Sequence, residues 1–249
     1  MSIFLVVLLP LIASALASLL PTRARNAGSM LAAAVALAGA LRMAMLFPQV
    51  RDGGVVREEI PWLPAAGVDL VARVDGFAWT FAMLVLTIGL LVIVYSRYYL
   101  SSADPMPRFY SSFLGFMGAM LGVVLSGNLV LMVFFWELTG LFSFVLIGYW
   151  SHRKEARRGA RMALLVTGAG GLCLLCGVLL LGSIVGSYDL DVVLAAAKRC
   201  ASTRSIRRSS RSSCSAPSPR APSSRSTSGC RAPWRRQRLS PPTFTRQRW

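Results

Sequence analysis

Acidic residues are scarce in this chain, which has 10 Asp and Glu among 249 residues against 27 Lys and Arg. It also has a single histidine, His152, and five cysteines, so there is little material for a zinc site or a disulfide framework. Charged residues make up only 15% of the chain, whereas hydrophobic residues make up 55%. Together with a mean hydropathy of +0.57, this composition predicts a multi-pass membrane protein and excludes an ordinary soluble globule.

Long apolar runs account for this composition. A membrane-spanning helix needs about 20 apolar residues, and each span must be helical because open strands in lipid leave backbone groups unpaired. We therefore predict an all-α polytopic membrane protein with about six transmembrane helices, followed by a disordered tail rich in Arg, Ser and Pro. The predicted spans are Ile3–Leu20, Ala27–Phe47, Phe77–Tyr95, Ser111–Ser126, Leu129–Trp150 and Met162–Val185.

Loop charges predict the orientation of these spans. The segment Ser151–Arg161 is rich in Arg and Lys with a single acid, so we expect it on the cytoplasmic side. Counting back through the spans puts the N-terminus and the slightly acidic segment Gln49–Asp75 outside. We expect residues 1–75 to form a helical hairpin plus an outer-side loop, and residues 76–200 to form the first part of a transmembrane domain. Residues 201–249 form the tail.

One carboxylate, Glu137, lies near the middle of the run Leu129–Trp150. A charge at the centre of a spanning helix costs about 2.5–3.5 kcal/mol, so an acid there indicates an ion or proton path. The structural alternative is a neutral carboxyl that is hydrogen-bonded to Thr139 or to a neighbouring helix. We predict Glu137 as the proton-path carboxylate, and we predict no metal site and no cofactor site.

Other small or polar residues within the spans indicate packing. Gly118 and Gly122 form a G-x-x-x-G step that lets helices approach closely. The T-G-A-G-G run at Thr167–Gly171 has no following Lys and no preceding strand, which favours helix packing over a phosphate loop. Cys173 and Cys176 form a C-x-x-C within an apolar span, and we interpret them as reduced core cysteines.

The remaining charges at membrane level are explained by their position. Asp75 and Arg161 lie at the ends of predicted spans. Arg42 lies about one turn from the outer end of its helix and can extend its side chain to the interface.

The segment after about Ala201 differs from the rest of the chain, since it has twelve Arg, no Lys and no acid. It supplies twelve of the net +17 charges. Such a tail is typical of a nucleic-acid-binding arm or of a polybasic segment that binds anionic lipid. The predicted orientation opposes both interpretations, because the tail would emerge on the outer side. A membrane anchor whose basic tail binds nucleic acid or lipid remains an alternative hypothesis, from a different functional class than an ion path. We expect no nucleic-acid partner.

Three segments within the block from Tyr95 to Gly182 carry a resemblance to a known family. They read Y-S-R-Y-Y-L, then R-F-Y-S-S-F-L-G-F-M-G-A-M-L-G-V-V-L-S-G-N-L, then F-W-E-L-T-G-L-F-S-F-V-L-I-G-Y-W-S-H-R. They are similar to the antiporter-like subunits, a family that includes the A subunit of the Mrp-type cation/proton antiporters and chain 5 of respiratory complex I. The F-W-E-L-T block followed by Y-W-S-H-R resembles the Mrp protein more than chain 5, in which Gly usually follows the acid.

The resemblance implies a component of a transporter, not an enzyme. It would exchange Na⁺ or K⁺ for H⁺ across the bacterial inner membrane, with other antiporter subunits and membrane lipid as partners. The alternative that it implies is a proton-translocating, chain 5-like subunit of NADH:quinone oxidoreductase with no redox site of its own. In the family the acid corresponding to Glu137 is thought to pair with a Lys on a broken seventh helix. That Lys does not occur in this chain, so we expect a truncated form that cannot relay protons alone.

The tail itself is compatible with a frameshift. Family members continue with G-A-F-T-K-S-A-Q-F-P-F-H-F-W-L-P and then A-M-A-A-P-T-P-V-S-A-Y-L-H-S-A-T-M, which this chain lacks. When the third base of each codon is joined to the next two bases, the codons from Ser215 to Trp249 can encode this continuation, with one extra Arg. We therefore expect the tail to be read out of frame.

Resequencing the codons from Leu190 to Arg211 tests this expectation. We expect one or two miscounted bases, whose correction restores the family continuation with its Lys. If the bases stand as recorded, a sequencing error is excluded and the frame break belongs to the gene.

Overall fold

A computed structural model describes residues 2–20, 25–63, 68–99, 106–149 and 154–198. The predictions for Trp150, His152 and residues 201–249 lie outside these described residues. In the described part, helices and one strand pair follow one another, and a short helix at residues 190–198 comes last. The elements are α1 (Phe4–Leu19), α2 (Arg25–Val50), β1 (Val56–Leu63), β2 (Val68–Val74), α3 (Gly76–Tyr99), α4 (Met106–Leu125), α5 (Leu129–Ile147) and α6 (Lys154–Val185).

The six long helices lie where the apolar runs predict them. Five of them, α2 to α6, are long and apolar enough to cross a membrane. The first helix, α1, is apolar but has 16 residues. At 1.5 Å per residue it is about 24 Å long, which is shorter than the roughly 30 Å hydrocarbon core. The prediction of a full-length first span is therefore not met within Phe4–Leu19.

Helix α4 is the centre of the helix packing, and its glycines permit close approach on two sides. A Cβ at Gly118 would lie 2.9 Å from Leu11 Cγ of α1 and 3.2 Å from the Leu11 backbone nitrogen. A Cβ at Gly122 would overlap the ring of Phe135 of α5. The packing role predicted for the G-x-x-x-G step is confirmed, because its two glycines lie in close contact with two different helices, α1 and α5.

Polar side chains also join the helices inside the bundle. The hydroxyls of Ser14 in α1 and Ser111 in α4 each donate to the other residue's carbonyl, at 2.7 and 2.8 Å. The indole N–H of Trp79 donates to the carbonyl of Met43 at 2.6 Å, which joins α3 to α2. In lipid such bonds hold helices together because water does not compete for the same groups.

The segment Gln49–Asp75, predicted as an outer-side loop between two spans, contains two strands that the sequence analysis did not predict. Strands β1 and β2 form an antiparallel hairpin in which Val56 faces Val74 and Ile60 faces Leu70. Val71, Ala72 and Val74 are buried in the described part of the protein. Strand β2 has the charged residues Asp69 and Arg73 among five apolar residues, so the strand carries charge although three of its apolar residues are buried.

Backbone hydrogen bonds join the hairpin to the end of the bundle. The N–H of Gly127, between α4 and α5, donates to the carbonyl of Val71 at 2.7 Å. The N–H of Leu190 donates to the carbonyl of Gly127 at 2.9 Å, and the N–H of Leu129 donates to Tyr188 at 2.9 Å. The hairpin, the α4–α5 connection and the chain after α6 are therefore held as one layer.

Ion pairs strengthen this layer, and we call them the hairpin clasp: Arg57, Arg73, Asp75, Asp189 and Asp191. Arg57 of β1 pairs with Asp189 and lies 2.9 Å from Asp191. Arg73 of β2 lies 2.6 Å from Asp75 and 2.9 Å from Asp191. Two arginines from the hairpin thus share carboxylates at the start of α3 and at the start of the helix at residues 190–198.

Both flanking carboxylates titrate below their ordinary range. Burial acts to raise the pKa of Asp189, but the Arg57 guanidinium and the Asp191 N–H outweigh it and lower the pKa below 3.8. Burial likewise acts to raise the pKa of Asp75, and the N–H of Ala78 and the Arg73 guanidinium outweigh it. The hydrogen bond to Asp189 raises the pKa of Arg57 above its usual value. Asp75, Asp189 and Arg57 are therefore charged at neutral pH.

We expect acid to open the clasp. Because the folded-state pKa of Asp189 is depressed, its contribution to stability is complete above pH 3.8 and is lost as the pH falls through the folded-state pKa. Replacing Asp189→Asn should lower the free energy of unfolding at pH 7 by about 1 kcal/mol, the upper end for partly exposed pairs. Thermal unfolding in detergent from pH 7 to pH 3 measures it.

The control for this prediction is Asp52→Asn, which removes an exposed carboxylate outside the clasp. It should leave the unfolding temperature unchanged at both pH values. The difference between the wild type and Asp189→Asn should shrink as the pH falls below 3.8. A difference that stays constant down to pH 3 would contradict an ionic role for Asp189.

Candidate functional site

Glu137 is centred in α5, which begins at Leu129 and ends at Ile147. The Asn128 side chain caps the helix by accepting the N–H of Val130 at 2.9 Å. At 1.5 Å per residue, Glu137 is about 12 Å from the first residue of α5 and about 15 Å from the last. The carboxyl therefore lies at the middle of a membrane-length helix, as the sequence predicts.

Helices α5 and α6 pack in an antiparallel seam, and Glu137 occupies its middle. Toward the hairpin end, Leu129 and Val133 of α5 pack in one apolar cluster with Val178 of α6. Toward the opposite end, a Cβ at Gly140 would lie 3.5 Å from Thr167 Oγ1. At the far end, a Cβ at Gly148 would lie 3.8 Å from Ala160 Cβ. The seam thus changes from large apolar side chains to small residues around Glu137.

Gly171 of α6 provides the space that the carboxyl occupies. A Cβ at this position would overlap Glu137 Oε1 and lie 2.6 Å from its Cδ. Gly168 and Gly170 have open space at the same position, so only one glycine of the T-G-A-G-G run is required by packing. The sequence predicted packing for this run but not that the partner is Glu137, because the facing helix surface cannot be read from spacing alone.

One oxygen of the carboxyl is enclosed and unpaired. Glu137 Oε1 is buried and accepts no hydrogen bond from the described residues. The hydroxyl of Thr139, expected as a partner in the structural alternative, donates instead to the Trp136 carbonyl at 2.6 Å. Thr167, across the seam, donates to the Ala163 carbonyl of its own helix at 2.8 Å. The hydrogen bond that would make Glu137 a purely structural carboxyl is therefore absent from the described part of the protein.

The site holds one proton-exchanging group at its centre. Apart from Glu137, the titratable side chains between Leu129 and Ile147 and between Met162 and Val185 are the thiols Cys173 and Cys176. Both thiols are free and exposed, so interpreting them as core cysteines is wrong. A lone carboxyl can take up and release a proton, but it needs a second group to pass the proton on.

The other charged residues named from sequence lie away from this site. Asp75 caps α3 by accepting the N–H of Ala78 at 2.7 Å and belongs to the hairpin clasp. Arg42 is half-buried in α2 and lines a small cavity against Leu5 and Leu9 of α1. Arg161 is exposed in the second turn of α6. The structure therefore does not bring these three residues together with Glu137.

Two family profiles match the chain on either side of the α4–α5 connection. The profile described as NADH:quinone oxidoreductase/Mrp antiporter, TM, matches residues 126–210. The profile described as NADH-Ubiquinone oxidoreductase (complex I), chain 5 N-terminus, matches residues 62–110. The first range includes Glu137 and its seat Gly171.

Curated relatives and a solved structure give a consistent result. The chain is 52% identical over 189 residues to a probable K(+)/H(+) antiporter A/B subunit of Rhizobium meliloti (strain 1021), covering 76% of this chain and 19% of the relative. It is 47% identical over 143 residues to the A subunit of the Na(+)/H(+) antiporter of Alkalihalophilus pseudofirmus, covering 57% of this chain and 18% of the relative. A chain of the Mrp complex from Dietzia sp. DQ12-45-1b superposes with a TM-score of 0.69 at 33% identity, covering 77% of this chain and 20% of that one.

The fold, the central carboxylate and these matches place the chain among the antiporter-like membrane subunits shared by NADH:quinone oxidoreductases and Mrp antiporters. Within that class it corresponds to the N-terminal portion of the A subunit of the multisubunit cation/proton antiporters. It spans about one fifth of the length of the curated relatives it matches, at 19% and 18%.

We expect Glu137 and Gly171 to be energetically coupled. Gly171→Ala places a methyl group where Glu137 Oε1 lies, so it should destabilise the wild type but cost little in a Glu137→Ala background. The coupling in this double-mutant cycle should be about 0.5–3 kcal/mol, the range for residues in contact. Thermal or denaturant unfolding of the detergent-solubilised chain measures all four variants.

Gly170→Ala is the matched control, because its Cβ would meet nothing within 4 Å. It should be neutral or slightly stabilising, since Ala forms helix better than Gly. Equal effects of Gly171→Ala in both backgrounds would show that the glycine does not act as the seat of the carboxyl.

Proposed function

We propose that this chain contributes the first part of the proton path in the A subunit of a multisubunit Na⁺ or K⁺/H⁺ antiporter, with Glu137 as the proton-carrying carboxylate. The observation that carries the proposal is the enclosed, unpaired Glu137 Oε1 at the middle of α5. Placing an acid at this depth costs free energy, and no hydrogen bond to Oε1 from the described residues offsets that cost. A role in proton transport accounts for why the acid is there.

The seam between α5 and α6 is suited to this role. Gly171 lets the carboxyl lie against the α6 backbone, and Thr139 and Thr167 bond within their own helices, so neither hydroxyl holds the proton. The carboxyl is half-buried, so one side of it stays accessible. A cationic group reaching that side would favour the ionised carboxylate and allow it to exchange a proton in turn. The resemblance to the family implies a Lys in that role.

The charge distribution supports an orientation with the N-terminus outside. The hairpin end holds Asp75, Asp189 and Asp191 with their arginines. The opposite end holds exposed Arg157, Arg158 and other basic residues. Because positive charge is retained on the cytoplasmic side, this end belongs in the cytoplasm of a bacterial cell and the hairpin outside.

Apolar surface on α5 and α6 supports further partners. Phe134 and Trp136 of α5 and Leu165 and Leu172 of α6 are exposed among the described residues. Such surface requires lipid or other membrane helices. The subunits with which the multisubunit antiporters assemble are the proposed partners, together with membrane lipid, H⁺ and the exchanged cation. The matched relatives are named for K⁺ and for Na⁺, so either ion fits.

A second candidate is a proton-translocating component of NADH:quinone oxidoreductase. The match of residues 62–110 to the chain 5 N-terminus favours it. Both candidates use Glu137 to carry a proton, and they differ in the source of energy. Gene neighbours that encode small antiporter subunits would separate the first from the second.

Exchange measured in membrane vesicles tests the proposal. We expect the gene with its reading frame restored, expressed with its partner subunits in a host without its own antiporters, to support cation-dependent proton release. Glu137→Gln keeps the shape of the side chain but removes its proton exchange, so the initial rate should fall by at least about tenfold. Glu155→Gln removes a carboxylate from the exposed start of α6 and should leave the rate unchanged.

A Glu137→Gln variant that exchanges cations at the wild-type rate would sink the proposal. The 249-residue chain expressed alone provides a second check, because its described part offers Glu137 no cationic partner. We expect it not to restore sodium tolerance, and restored tolerance would show that Glu137 works without one.

A further inference from the structure

A basic cavity lies at the end of the bundle opposite the hairpin, where α4 begins, α5 ends and α6 begins. Its volume is about 310 Å³, and Arg108 of α4 lines it together with Arg157 and Arg161 of α6. Arg157 and Arg161 are one turn apart and therefore share a face of α6. Three arginines thus line one cavity from two helices that are not consecutive in the chain.

These three arginines form no ion pair with any residue of the described ranges. The ion pairs of those ranges all belong to the hairpin end and involve Arg57 and Arg73. The cavity therefore carries three positive charges that the described part of the chain does not neutralise. Such a cavity attracts an anion, and guanidinium groups match the oxygens of a phosphate by paired hydrogen bonds.

The other wall of the cavity is apolar. Phe144, Val145 and Gly148 of the α5 end line it. This wall continues into the exposed apolar surface of α5 at Leu141 and Ile147. A ligand that satisfies both walls has an anionic head and an apolar chain, whereas a soluble anion would leave the apolar wall uncovered.

We propose that this cavity binds the phosphate of an anionic phospholipid, with Arg108, Arg157 and Arg161 around the headgroup and an acyl chain along Phe144 and Val145. The cavity lies where the spans meet the predicted cytoplasmic surface, which is the depth of a lipid headgroup. Basic pockets between membrane helices on that side bind such headgroups, and the cytoplasmic leaflet supplies anionic lipid. This site is separate from Glu137 and does not depend on its role.

Lipid binding to the purified chain in detergent, followed by native mass spectrometry, tests the site. The probes are phosphatidylglycerol, which is anionic, and phosphatidylcholine, which is zwitterionic. We expect the wild type to prefer phosphatidylglycerol. The double variant Arg157→Gln/Arg161→Gln should bind phosphatidylglycerol about 30-fold more weakly. Each arginine near an anionic headgroup strengthens binding by about fivefold, and the variant loses two of them.

The matched control is Lys154→Gln/Arg158→Gln, which removes two charges from the same turns of α6 without touching the cavity. It should keep the wild-type affinity. Residues 201–249, with their twelve arginines, are present in every variant, so non-specific binding to the tail cancels. Arg108→Gln gives an independent test from α4 and should also weaken binding. Size-exclusion profiles and circular dichroism verify that each variant is folded.

Three outcomes would overturn the proposal. Equal affinity for the two lipids would show that the cavity does not distinguish the headgroup charge. Equal losses in the cavity and control variants would show attraction by net charge and not by this cavity. Displacement of the lipid by an excess of inorganic phosphate, with the same dependence on Arg157 and Arg161, would make the cavity a site for a soluble anion.

Discussion

The helices of this bundle hold together because small residues let their backbones come close. In lipid there is little hydrophobic force to drive helices together, so packing contacts and hydrogen bonds between helices must hold them. Helix α4 meets α1 at Gly118 and α5 at Gly122, and α5 meets α6 at Gly171. At Gly171 the object that fills the space is a carboxyl and not an apolar side chain. The same packing rule that builds the bundle therefore also positions its one mid-membrane acid.

Much of the fold could be predicted from the sequence because membrane helices are long and apolar. The positions of α2 to α6, the depth of Glu137 and the packing of Gly118 and Gly122 follow from hydropathy and spacing. The relation between Glu137 and Gly171 does not follow, since it depends on which faces of α5 and α6 meet. Helix rotation is set by three-dimensional packing, and the sequence offers only the presence of a small residue.

The strands of the hairpin also could not be predicted from the sequence. The segment from Val56 to Val74 has Arg57, Glu58, Glu59, Asp69 and Arg73, so its charge conceals its strands. More than half of its residues are nevertheless apolar, and Val71, Ala72 and Val74 pack onto the bundle. The charged residues that indicate a loop also make the clasp with Asp189 and Asp191. A partner more than 100 residues away along the chain cannot be read from local pattern.

The clasp has a mechanical consequence for α6. Backbone and ionic contacts fix the chain just beyond Val185, whereas Lys154 at the other end of the helix is exposed. Gly171 lies near the midpoint of this 32-residue helix. A rigid helix held at one end acts as a lever, so a sideways displacement of its free end moves Gly171 by about half as much, given a uniform rise per residue. A sideways displacement of α6 at Lys154 would therefore shift the Gly171 backbone that lies against the Glu137 carboxyl.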